Sequence, residues 1–114
     1  MESVNYGNIL SLLVESVPEF QPDTDHLGDG LNYLVFPAFT RFVVQETKDG
    51  RNPDVLQRAF AFLERAAKSK DKQVIDLLLD ALYEFAIPDP EKSKALMGRS
   101  TRRLFRRVVK EVYR

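Results

Sequence analysis

Cysteine and tryptophan are both absent from these 114 residues, and histidine occurs once. Without cysteine there is no disulfide framework, no thiolate metal site and no redox signal of compartment. The single histidine, His26, leaves too little for a zinc site. Long apolar runs are also missing; the longest falls far short of the ~20 residues that span a bilayer. No secretory leader is legible. Glu2 stands where a basic start belongs, and the apolar stretch from Ile9 to Val14 is broken by Ser11 and closed by Glu15. There is no G-x-G-x-x-G, no Walker loop and no H-E-x-x-H. Together these absences predict a soluble cytoplasmic protein that needs no cofactor and no metal, and they argue against an enzyme.

What is present is enough apolar material for one core. Hydrophobic residues make up 44% of the chain, and a chain of this length buries about two-thirds of its unfolded surface. A single domain over 1–114 is expected. The clearest periodicity lies between Pro53 and Ile87. Leu56, Phe60, Leu63 and Ala67 recur at helical spacing, as do Val74, Leu78, Ala81 and Phe85. Neighbouring rows (Val55, Ala59, Phe62 and Ala66; Ile75, Leu79, Leu82 and Ala86) widen both stripes. The link Lys68-Ser69-Lys70-Asp71 is short enough to force an antiparallel return.

The remaining segments read as follows. A first helix, capped by Asn5 or Ser3, runs to about Val17 and stops at Pro18. Glu19 to Gly30 is a loop rich in Asp, Gly and Pro. Leu31 to about Thr47 is apolar on every side, which predicts the central, most buried helix. A strand over Tyr33 to Phe36 is the competing reading, and Pro37 disfavours it. Gly50 suits a left-handed cap. Asn52-Pro53-Asp54 is a helix start, and Asp89-Pro90-Glu91 repeats it. The last segment carries a break signal at Gly98-Arg99-Ser100, with Leu104, Phe105, Val108 and Val112 as its core face. The expected fold is all-α, about five helices, either a compact bundle or HEAT-like stacked hairpins.

Zero net charge conceals an asymmetry. Residues 1–60 hold nine acids against four bases, and 61–114 hold thirteen bases against eight acids. Asp23-Thr24-Asp25 followed by Gly28 resembles the start of a calcium loop. Leu27 and Leu34 then fall where oxygen ligands are required, so calcium is rejected. His26 among these acids is read as a surface residue, because no Ser or Cys nucleophile stands in a recognisable setting. The cluster Asp23, Asp25 and Asp29, with Asp49, is a candidate surface for a cationic protein. From Lys92 onward nine bases face one acid, Glu111. Arg99, Arg102, Arg103, Arg106, Arg107 and Lys110 form the alternative candidate, a phosphate-binding face for nucleic acid. Its other reading is a solvated face that suits the helix C-terminus.

Three stretches carry a family resemblance. They are Val17-Pro18-Glu19, Phe36-Pro37-Ala38-Phe39-Thr40-Arg41-Phe42, and the hairpin from Phe60-Ala61-Phe62-Leu63-Glu64 to Leu82-Tyr83-Glu84-Phe85. Their order resembles uncharacterised small bacterial helical proteins of immunity type, found beside polymorphic or contact-dependent toxins. The likeness covers about residues 9 to 98, and the basic end lies beyond it. It implies a non-catalytic protein that neutralises a cognate toxin by occluding its active site, and the acidic cluster suits a basic toxin domain; the likeness supplies no binding residues. The competing expectation is a nucleic-acid-binding accessory protein. Oligomeric state is not legible in the sequence.

Overall fold

Helix starts and stops follow the punctuation of the chain. The computed structural model describes residues 3–21, 31–87 and 90–113. Among them are six helices and no strand: α1 (Ile9–Ser16), α2 (Leu31–Asp49), α3 (Pro53–Ala67), α4 (Lys72–Ala86), α5 (Pro90–Leu96) and α6 (Arg99–Val112). The all-α expectation holds. The count is six because Gly98, with an extended backbone, splits the last segment into α5 and α6. The α3–α4 hairpin has the predicted four-residue link. Gly50 takes the left-handed conformation, φ 64°, and its N–H reaches Glu46 O at 3.0 Å to close α2. The extents of 33 × 32 × 30 Å describe a globule rather than an extended array.

Caps differ in detail from expectation. Asn52 precedes α3 without capping it by its side chain; its amide donates instead to Glu46 Oε2 at 3.0 Å. Asn5 and Asn8 bond reciprocally, side chain to backbone, in the turn before α1. Asp71 caps α4 through Gln73 N at 2.9 Å, and its other oxygen accepts Tyr6 N at 2.9 Å. Ser69 donates to Val4 O at 2.6 Å. The link between α3 and α4 therefore also holds the N-terminal segment in place.

The central helix is α4, not α2. It packs against α2, α3, α5 and α6. One row of α2 (Val35, Phe36, Phe39, Val43) is buried, but Leu34 is 59% exposed and Tyr33 42%. Helix α2 has packed neighbours in α3 and α4 alone among its principal contacts, too few to cover an apolar surface on all sides. Phe36 and Phe39 meet Phe62 of α3 at ring distances of 6.2 and 6.1 Å, and Phe20 lies 5.4 Å from Phe39. Pro37 sits inside α2, and three residues later Thr40 is wholly buried. The Thr40 hydroxyl lies 3.0 Å from Ala81 O, a polar tie between α2 and α4. Val112 was assigned to the core face of α6; at the helix end it is 37% exposed.

One ionic contact fixes α6. Glu64 of α3 accepts Ser100 N (3.0 Å), Thr101 N (2.9 Å) and the Thr101 hydroxyl (2.9 Å). These are donors that the first turn of a helix leaves unpaired. Gly98 is required for space rather than for backbone freedom, since a Cβ there would stand 2.6 Å from the Glu64 carboxyl. Burial works to raise the Glu64 pKa. The amides of Thr101 and Ser100 and the Thr101 hydroxyl outweigh it, so the pKa lies below its ordinary 4.5. The folded-state pKa is thus depressed, and the stabilisation is present above pH 4.5 and lost as pH falls through the lower folded value. Glu64→Gln is expected to cost about 1–3 kcal/mol in denaturant unfolding at neutral pH. The gap to wild type should narrow as pH falls below 4.5. Gly98→Ala should reproduce the neutral-pH loss by displacing the carboxylate.

Candidate functional site

Polar residues every third or fourth position keep one face of α4 in solvent. Lys72, Asp76 and Asp80 are exposed, and Glu84 is half-buried with its carboxylate 3.0 Å from Arg41. Tyr33 of α2 stands beside this row. Its ring is 6.3 Å from that of Tyr6. Desolvation raises the Tyr33 pKa, and Tyr6 and the carboxylates of Asp76 and Asp80 raise it further. On the other side of the row, exposed Tyr83 lines a 130 Å³ cleft with Leu79, Arg107, Val108 and Glu111. The result is an acidic strip flanked by two tyrosines. Tyrosine offers contact area with a polar tip, the combination enriched in protein interfaces.

The acidic residues first singled out do not form this strip. Asp23, Asp25 and Asp29, with His26, lie outside the described residues. Asp49 ends α2, exposed, accepting Gln45 Nε2 at 3.0 Å. Along the helix it is about 24 Å from Tyr33, so it belongs to another part of the surface. Nothing in the sequence paired this row with Tyr33, which belongs to a segment whose composition reads as apolar on every side.

The basic face of α6 is largely as expected. Arg99, Arg103, Arg106 and Lys110 follow one another at spacings of four, three and four, all exposed, with Arg107 exposed beside them. Among the described residues none of these five forms an ion pair. Arg102 is the correction. It is half-buried, and its guanidinium donates to Lys94 O (3.0 Å) and Ala95 O (3.4 Å). It is therefore a clasp between α6 and α5 and not part of the free face. Lys110 suits the negative end of the helix dipole, whereas Arg99 and Arg103 lie in the first turns, at the positive end. Helix stability accounts for the former and not for the latter.

Among the described residues no three His, Asp or Glu side chains converge as metal ligands, and no helix is long and apolar enough to cross a membrane. Comparison with known proteins gives a family without a function. Residues 10–113 match a domain of unknown function, DUF7674. The chain belongs to the DUF7674 family. No curated protein and no solved structure matches it. The match includes all six helices except the first residue of α1, so both surfaces lie within the DUF7674 region.

The strip has a spectroscopic signature. Asp76→Asn with Asp80→Asn is expected to lower the Tyr33 phenol pKa toward 10.0, because two of the charges that disfavour the phenolate are gone. The Tyr33 ring resonances followed through an alkaline titration report it.

Proposed function

We propose that this DUF7674 protein is a non-catalytic protein-binding module, concretely a cytoplasmic immunity protein that occludes the active site of a cognate, basic bacterial toxin. The observation that carries the reading is the exposed acidic pair Asp76 and Asp80 on the solvent side of α4, a helix packed against α2, which carries exposed Tyr33. A nuclease toxin must present cations to its polyanionic substrate, and a carboxylate strip competes for those cations. The likeness to immunity-type proteins supports the same choice. The proposal also treats α3–α4 and α5–α6 as HEAT-like stacked hairpins, a class of scaffold that presents outer helix faces to partners.

A second reading has its own observation, the exposed row Arg99, Arg103, Arg106 and Lys110, which forms no ion pair among the described residues. It is a nucleic-acid accessory protein that contacts phosphates through α6. Its affinity would fall steeply with salt.

The deciding experiment titrates the C-terminal domain of a toxin encoded beside this protein. A stoichiometric complex is expected, weakened roughly tenfold or more by Asp76→Lys with Asp80→Lys, with Asp49→Lys near neutral. Reversal of Asp23, Asp25 and Asp29 tests the loop candidates in the same assay. Full toxin binding by the α4 double variant would remove the strip from the interface. Salt-sensitive retention on RNA or DNA, lost in the Arg-to-Gln variant at 99, 103, 106 and 107, would favour the second reading.

A further inference from the structure

The α5–α6 pair encloses a groove that neither charged surface uses in full. Its volume is about 550 Å³, inside the range typical of small-ligand sites. Phe105, Val109, Tyr113 and Pro90 supply apolar lining. Lys94, Arg106, Arg107 and Lys110 line it as cations, and Glu91 is the acid among the lining residues. Two contacts make the walls firm. The Arg102 guanidinium joins α6 to the carbonyls of Lys94 and Ala95 beside the groove. At the far end the Tyr113 hydroxyl donates to Ala86 O at 2.7 Å, which fixes the ring against α4. From Arg106 to Tyr113 the helix rises about 10 Å, a length that suits one medium-chain tail.

We propose that this groove binds a small amphiphilic carboxylate, its tail along Phe105, Val109 and Tyr113 and its head between Arg106 and Lys110. The apolar lining provides area to cover, and the cations provide charge-assisted hydrogen bonds to a carboxylate. These cations are one turn apart on α6, and neither forms an ion pair among the described residues. A carboxylate therefore binds there without breaking an ion pair among the described residues. An apolar cation meets the same walls but an opposed rim, and a short carboxylate meets the rim without the walls. Charge and tail are both needed, which is the basis of selection.

Calorimetry with the full chain tests this with decanoate, decyltrimethylammonium and acetate, each below any micellar concentration. Decanoate is expected to saturate at one per chain, with the other two roughly tenfold weaker or worse. Ring and methyl resonances of Tyr113 and Val109 should shift with the same saturation curve. Arg106→Glu with Lys110→Glu should reverse the preference toward decyltrimethylammonium, and Arg106→Gln with Lys110→Gln should abolish it. Arg99→Gln with Arg103→Gln, on the row but outside the groove, should leave decanoate affinity unchanged. Circular dichroism establishes that each variant is folded. Equal binding of decanoate and decyltrimethylammonium by wild type would overturn the proposal. So would the absence of saturable decanoate binding, or shifts that avoid Tyr113 and Val109.

Discussion

The carboxylate of Glu64 over the first turn of α6 is the contact on which the rest of the surface depends. Helix α6 opens badly by its own means. Gly98 brings no side-chain cap, and Arg99, Arg102 and Arg103 place positive charge at the positive end of the dipole. A carboxylate from α3 supplies what the local sequence withholds, accepting two amides and a hydroxyl at once. Hydrogen bonds to a charged group contribute about 1.5–3 kcal/mol. The exposed pair Arg41–Glu84 falls in the class that contributes about 0–1 kcal/mol. Because Glu64 comes from another helix, the contact also sets where α6 lies. Thr101 is buried beneath it, and Leu104, Phe105 and Val108 then turn inward. The basic row is what remains outside.

Helix α4 distributes the consequences. It packs against both α2, which brings Tyr33, and α6, which brings Arg107 and Glu111. Its buried side is continuous from Val74 to Ala86, so its solvent side cannot rotate without exposing Leu78, Leu82 or Phe85. Thr40 adds direction to this packing, since its hydroxyl finds Ala81 O only when α2 and α4 are in register. Burial thus holds the acidic strip and its tyrosine at a fixed spacing. The acid-to-tyrosine geometry is a product of the core and not of the polar residues themselves.

How much of this was legible follows from the range of the forces involved. Periodicity and proline punctuation are local, and they located α3, the start of α4 and their link to the residue, with α4 ending one residue short of Ile87. Gly50 was readable because a positive φ has few other solutions. The role of Gly98 was half readable, as a break but not as a space left for Glu64, thirty-four residues earlier. Asn52 carried the usual cap chemistry and spent it on Glu46, because the loop turned its amide that way. The burial of α2 was overread. An apolar helix states that burial is wanted, while the number of neighbours decides how much is available. For the site, composition revealed the basic face of α6. It could not reveal that Arg102 faces α5, nor that Tyr33 stands beside Asp76 and Asp80. The first depends on how α6 folds back on α5 across Gly98, and the second on packing between helices far apart in sequence.

Zero net charge gives a last constraint on how such a protein selects a partner. Adjacent helix axes lie about 8–10 Å apart, and charges are screened over about 8 Å at physiological ionic strength. Helices α4 and α6 pack together, and Tyr83 of α4 meets Arg107 and Glu111 of α6 in one cleft, so the acidic row of α4 and the basic row of α6 stand on neighbouring helices. At long range they cancel, so a partner of either sign gains little steering. At contact a uniformly charged partner that satisfies one row is opposed by the other if it extends across Tyr83. The favoured partner is either narrow, confined to one row, or patterned with both signs in the complementary order. A folded protein surface can meet the second condition and a regular polyanion cannot. On this ground the strip around Tyr33, Asp76 and Asp80 is better suited to a protein than α6 is to a long nucleic acid.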